Sequence, residues 1–493
     1  MTEAHLIAAE RRLRFDNPWW EGGGVDPEVR SWPRRDYFPK FRELVLQTEP
    51  RRAVVLMGPR RVGKTVMIQQ LIAELLDRGV SGSAILYASL DTPVYLGVAP
   101  EALLLMFFER FGHDRNSTVY VFFDEIQYQR DWEIHLKSLV DSFRGPRFIA
   151  SGSAAAALKL RSRESGAGRF TDFTLPPLTF SEYVRFVGLA VGPWLAPLLE
   201  ERGVLDAQGA LPPIGPLNAA FVDYLNFGAF PEAALSAVLR QDPQRYVRED
   251  VLEKVLLRDL PGLYGIEDIQ ELYRLFVFLA WNTGGEFNAE GLSQKSGVNK
   301  VTLQRYLKYL EAAFLIRILP RVGDEGQRFQ RAVRFKVYLT NPALRAALLG
   351  PVAPEDEAMG ALVETAVVSQ LAHTLGGFER FAYARWREGK EELEVDLVTL
   401  DPLGKPVSAV EIKWSDRYLS RPEELRGLRL FVERNPGLRS VSVTTRTQWG
   451  ARSFGGRELL FMPTALQSLL IGAALPQLVQ QAHSPDSTEQ TPP

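Results

Sequence analysis

The chain has 493 residues, more than one hydrophobic core ordinarily holds, so two to four domains are expected. Its 46% hydrophobic and 24% charged residues are those of a globular protein, and no apolar run is long enough to span a bilayer. Cysteine is absent, which excludes disulfides and thiolate chemistry, and the net charge of −2 confines any nucleic-acid surface to a local patch.

Residues 1–35 read as an N-terminal extension. They lack the apolar stretch of a secretory signal, so a cytoplasmic location without membrane contact is expected. Trp19, Trp20, Trp32 and Tyr37 are expected to pack this segment onto the next domain. Over 36–175, short apolar runs recur: AVVLM at 53–57, AILYASL at 84–90, VYVFF at 119–123 and RFIAS at 147–151. Amphipathic stretches such as VMIQQLIAELLDRG separate them. This alternation predicts an α/β domain with a parallel sheet covered on both faces.

Between the first run and its helix stands Gly58-Pro59-Arg60-Arg61-Val62-Gly63-Lys64-Thr65, with Val66 next. Glycines at these positions let backbone N–H groups curl around a phosphate, and the helix N-terminus adds positive dipole. Lys64 is expected to reach the β and γ phosphates of ATP, and Thr65 to ligate Mg²⁺. Asp124 and Glu125 end the strand VYVFFDE. Asp124 can hold Mg²⁺ through water, and Glu125 can polarise the attacking water. Ser151, or Ser153, could sense the γ-phosphate; an ordinary strand-ending serine is the plain alternative. Arg161, Arg163 and Arg169 come next, and Arg169 is the candidate for stabilising charge on a neighbouring subunit's nucleotide. That role requires a homo-oligomer, a ring being one form of it, with surface ion pairs as the alternative.

From 176 to 285 the pattern becomes helical and broken by Pro and Gly, a lid or linker region. Over 286–345, two helical patterns meet at Gly297 and two apolar strand patterns come after them, the order of a winged helix. Lys295, Lys300, Arg305 and Lys308, then Arg328, Arg331 and Arg334, are spaced to meet DNA phosphates, though a solvated face looks similar. Leu303, Tyr306, Leu307 and Leu310 are read as core. Residues 346–475 read helix, strand, strand, strand, helix, and 476–493 as a disordered tail. Asp396 lies on one strand, with Glu411 and Lys413 on one face of the next. Asp396, Glu411 and Glu364 could hold a second Mg²⁺ or Mn²⁺ while Lys413 orients water, the chemistry of phosphodiester cleavage; structural ion pairs are the alternative. His5, His113, His135, His373 and His483 stand singly, without the spacing of a zinc helix.

GPRRVGKT, FDEIQ at 123–127, and SGS followed by ESGAGR resemble AAA-type P-loop ATPases of bacteria and archaea. PLTFSEY at 177–183, NFGAFPE at 226–232, KVYLTNPALR at 336–345, EVDLV and VEIKW resemble one subgroup of them. That subgroup ends in a domain of unknown function related to PD-(D/E)XK nucleases. The resemblance spans about residues 35–450. It implies an AAA-type ATPase core, a winged-helix middle and a restriction-endonuclease-like α/β end. Thr365 stands where the family often has Asn, and Asn341 where it often has Asp. Besides a small nucleotide-dependent signalling module without nucleic acid, two functions are consistent with these features. One is a Mg²⁺-dependent ATPase acting on DNA, with cleavage by the last domain an open extension. The other is a nucleotide-controlled regulatory protein whose nuclease-like fold only binds a partner.

Overall fold

The computed structural model describes residues 3–152, 168–191, 213–326, 334–371, 378–454 and 457–482. Ser153, Arg161, Arg163, Arg328, Arg331, His373 and His483 lie outside them. Contacts divide the chain into Met1–Pro176 and Pro177–Pro493.

Five successive apolar residues make a strand only where both sheet faces are covered. Ala53–Met57 (β1) meets that condition, with every residue buried. Ile85–Ser89 (β2), Tyr120–Asp124 (β3), Arg147–Gly152 (β4) and Phe170–Thr174 (β5) complete the sheet. Its order is β2-β3-β4-β1-β5 and every pairing is parallel. The helices Lys64–Asp77, Pro100–Phe111 and Trp132–Ser142 form the crossovers. β4 therefore stands between β1 and β3, with Ser151 opposite Leu56. The exit of β1, the end of β3 and the end of β4 meet at one carboxyl edge, where open α/β sheets bind ligands. The N-terminal extension packs against this unit: Trp19 and Tyr37 are buried, and both the Trp19 and Trp20 indoles donate to the Ile85 carbonyl at 3.1 and 2.7 Å.

In the second unit Thr179 and Glu182 cap the helix Phe180–Phe186 reciprocally. Among the described residues this unit holds a nine-stranded mixed sheet that runs from Gly450–Phe454 at one edge to Glu286–Asn288 at the other. Glu286–Asn288 (β6), Ile316–Val322 (β7) and Arg334–Leu339 (β8) are its antiparallel end. Between β6 and β7 lie the helices Ala289–Ser296 and Lys300–Ala312, joined at Gly297, whose φ of 74° ends the first helix. Leu303, Tyr306, Leu307 and Leu310 are buried, as their spacing requires.

The helix Met359–Leu371 precedes an antiparallel run of Phe381–Glu388 (β9), Glu391–Leu400 (β10) and Pro406–Glu411 (β11). The helix Arg426–Arg434 then returns the chain to Ser440–Thr445 (β12), parallel to β11. Gly450–Phe454 (β13) and Arg457–Pro463 (β14) close the edge. β7 pairs with β9 through Arg321–Tyr383 and Val322–Ala384, so the stretches 286–345 and 346–475 share one sheet. The last helix, Thr464–Ala482, runs into the segment expected to be a disordered tail. Pro476 reads as a helix breaker, so the extension to Ala482 is not announced by the sequence. Among the described residues no helix is long and apolar enough to cross a membrane.

Candidate functional site

The loop after β1 is shaped by its glycines. A Cβ at Gly58 would collide with the Leu175 carbonyl oxygen, so only glycine lets the chain leave β1 here. Gly63 takes a left-handed φ of 93° at the start of the helix Lys64–Asp77. Arg61 does the same at 63° and is exposed, while Val62 is buried. Pro59 is buried, Arg60 and Val66 half-buried, and Thr65 exposed. Lys64 folds back into the loop, where Nζ donates to the carbonyls of Gly58 at 3.1 Å and Pro59 at 2.8 Å. Its ammonium thus sits inside the ring of atoms that would surround a phosphate.

Asp124 is 1% exposed and gathers four donors. The Thr65 hydroxyl, at 2.7 Å, and the Tyr87 phenol, at 3.0 Å, donate to Oδ2. The Ser151 hydroxyl and the Glu125 amide, at 3.2 Å, donate to Oδ1. Burial raises the Asp124 pKa and the Glu125 charge adds to it, while the hydroxyls of Ser151, Thr65 and Tyr87 work the other way. Glu125 takes a left-handed φ of 52°, which turns its half-buried carboxylate out of the strand; the Gln127 side-chain amide donates to it. Thr65 and Asp124 are hard oxygen donors at a helix N-terminus, a set that fits Mg²⁺ with phosphates and water as the other ligands. Lys64, Thr65, Asp124, Glu125 and Ser151 are all brought together.

Arg169 is not. It precedes β5, and its carbonyl accepts from the amide of Ala53 at the start of β1. That is the opposite edge of the sheet from the loop. Its guanidinium lies 2.5 Å from Asp141, so within this chain it forms the plain ion pair. Two residues that sequence reasoning missed act on this site. Arg35, 5% exposed, donates to the carbonyls of Val62 at 2.7 Å and Pro176 at 2.9 Å, bracing the loop. Tyr87 is the other; a lone phenol within an apolar strand was the available signal.

In the second unit Lys413 Nζ lies 3.1 Å from Asp396 and 2.8 Å from Glu411, so these three do converge. Glu364 borders this cluster but is paired with a second lysine. Lys336, on β8, lies 2.8 Å from it and 2.5 Å from Glu394, and the Tyr338 phenol donates to it at 2.5 Å. Among the described residues no group of three or more acidic or histidine side chains is placed to hold a metal ion. Buried Lys336 and half-buried Lys413 supply positive charge beside the expected ligand trio of Glu364, Asp396 and Glu411. Lys336 is not among the expected site residues because β8 reads as the wing of a separate domain.

An AAA domain family model matches residues 50–184, which contain β1 to β5 and the loop. A model of a domain of unknown function (DUF8612) matches residues 218–355. An uncharacterized protein of Haemophilus influenzae is 24% identical over 302 residues, 60% of this chain and 69% of that protein. An uncharacterized protein of Methanocaldococcus jannaschii is 24% identical over 335 residues, 66% of this chain and 69% of that one. Among solved structures, the Walker-type ATPase of Pyrococcus abyssi aligns over 66% of this chain and 97% of its own, at 15% identity and a TM-score of 0.39. AMPPCP-bound DnaA from Aquifex aeolicus aligns over 58% and 92%, at 12% identity and a TM-score of 0.28. Residues 50–184 are thus an AAA-type P-loop domain, on the family match and the parallel sheet together.

Proposed function

We propose that this protein is a Mg²⁺-dependent ATPase that works on DNA. The observation that carries the first half is the meeting of Thr65 and Asp124, 2.7 Å apart, beside a loop already closed around the Lys64 ammonium. ATP phosphates entering the loop exchange the Gly58 and Pro59 carbonyls for charged oxygens as partners of Lys64. Magnesium held by Thr65 and Asp124 would neutralise charge between the β and γ phosphates. Glu125 accepts the proton of the attacking water, and Ser151 keeps Asp124 and the Glu125 amide aligned. Lys64→Ala should abolish turnover and weaken nucleotide binding. Glu125→Gln should retain ATP while slowing hydrolysis about 100-fold or more. Wild-type turnover in Lys64→Ala would overturn the reading.

The DNA half is supported by the helix Lys300–Ala312, which with its neighbour turns Lys295, Arg305 and Lys308 outward. A winged-helix reading of β6 to β8 agrees with that exposure. Helix, antiparallel run, helix and parallel strand over 359–445 is the order of a restriction-endonuclease-like core. The lysine-neutralised carboxylates favour the second reading for that region: a partner-binding fold without cleavage. Incubating branched, single-stranded and duplex DNA with Mg²⁺ or Mn²⁺ tests it, and cleavage lost in Asp396→Ala would overturn it. Self-association rests on the likeness to AAA-type ATPases alone, and sedimentation with a non-hydrolysable ATP analogue tests it.

A further inference from the structure

β2 is one of the two edge strands of the first sheet, and among the described residues its outward backbone groups have no neighbouring strand. The N-terminal extension supplies the missing partners with side chains. Asn17 is fully buried; its Oδ1 accepts from the Tyr87 amide at 2.7 Å, and its Nδ2 donates to the Tyr87 carbonyl at 2.8 Å. The same Nδ2 donates to the Leu13 carbonyl at 2.8 Å, anchoring Asn17 to the end of the helix Glu3–Asp16. Beside it, the two indoles on Ile85 hold the strand two residues earlier. Asp16 accepts from the Tyr95 phenol at 2.8 Å, which ties the turn to the segment after β2.

The residue held this way is the one whose side chain reaches the magnesium-binding carboxylate. Tyr87 pairs in register with Phe122, so its ring lies on the face shared by Phe122 and Asp124 and leans along the strand to the carboxyl edge. There its hydroxyl donates to Asp124 Oδ2, the atom that Thr65 also contacts. Of the four donors on Asp124, Thr65, Ser151 and Glu125 belong to elements that surround a nucleotide. Tyr87 alone belongs to β2, and β2 is held by the extension.

We propose that Tyr87 is a positioning residue for Asp124, and that Asn17 and the N-terminal extension set its position. The Asn17–Tyr87–Asp124 chain fixes the carboxylate in the orientation that receives Mg²⁺. The inference rests on the Mg²⁺-ATPase reading and adds the extension to its machinery. A carboxylate ligand that loses an outer hydrogen-bond partner generally loses metal affinity by about 10-fold or more.

The test uses the full chain and a fluorescent ATP analogue, titrated with Mg²⁺ and separately bound in EDTA, with ATP turnover measured alongside. Tyr87→Phe should raise the Mg²⁺ concentration for half-maximal turnover and binding by about 10-fold, with metal-free nucleotide affinity unchanged. Asn17→Ala, which reaches the site only through the Tyr87 backbone, should move the same quantity in the same direction by a smaller factor. An unchanged Mg²⁺ requirement in Tyr87→Phe would overturn the proposal. So would an equal loss of affinity in EDTA, which would mean general distortion of the site. A wild-type chain that binds the analogue no better with Mg²⁺ would sink the ATPase reading instead, so the two failures are distinguishable.

Discussion

Asp396 and Glu411 share the Lys413 ammonium, yet their surroundings push them in opposite directions. Burial raises Glu411 to about 7, and the Asp396 charge adds to the effect. Its Oε2 is buried with no hydrogen-bond partner among the described residues, so ionisation is poorly compensated there. For Asp396 burial again opposes ionisation, but Lys413, Lys336 and the Ile412 amide outweigh it and hold the group below the usual carboxylate range. The two groups therefore affect stability with opposite signs. A raised pKa in the fold means that the folded chain keeps the Glu411 proton after the unfolded chain has released it. Stability from Glu411 is complete below the usual glutamate pKa and is lost as pH rises through about 7. Asp396 contributes above the usual aspartate range and loses its contribution only as pH falls below it. Glu411→Gln, which imitates the protonated form, should therefore raise the melting temperature at pH 8 by about 5 °C and leave it unchanged near pH 4. Thermal unfolding at the two values checks this, and an equal shift at both would exclude titration as the cause.

At the level of elements, legibility tracked burial. β1 to β4 were readable because each is nearly all apolar, which only a strand covered on both faces tolerates, and their limits differ from the structure by one residue at most. β5 was not readable: FTDFT has only two apolar residues, three apart and so without the period of two, and its place is decided by pairing with β1 across the sheet. The loop, Asp124 and Glu125 could be read because phosphate chemistry demands those residue types at the end of a strand. Tyr87, Arg35 and Lys336 could not, since each acts through a tertiary contact that no local spacing announces. The helix Lys300–Ala312 is legible in a third way, by its two faces. Leu303, Tyr306, Leu307 and Leu310 pack inward, while Arg305 and Lys308, with Lys295 before them, stay exposed. Lys300 is ion-paired with Glu290 at 3.0 Å and is a poorer candidate. If this face meets phosphates, changing Lys295, Arg305 and Lys308 to Ala should lower DNA affinity for all sequences alike. It should also reduce the slope of log affinity against log salt by roughly 2 to 3. ATP turnover without DNA should not change. Fluorescence anisotropy across a salt series gives the slope, and an unchanged slope would remove this face from the DNA reading.

The whole molecule keeps its two chemistries in separate units: the loop, Asp124 and Tyr87 within Met1–Pro176, and the lysine–carboxylate cluster within Pro177–Pro493. A nucleotide that binds only the folded first unit stabilises it by mass action, whatever the second unit does. At a free concentration about 100 times the dissociation constant the gain is about 2.7 kcal/mol. For a unit of this size that corresponds to a rise of roughly 5 to 10 °C in its melting temperature. A calorimetric scan with a non-hydrolysable ATP analogue and Mg²⁺ should thus move the transition of the first unit and leave that of the second in place. Lys64→Ala should lose the shift. In Asp396→Ala it should persist, because that residue contributes nothing to the phosphate loop. Equal upward movement of both transitions in the wild type would mean that the units unfold as one, and that nucleotide binding is felt through the entire chain.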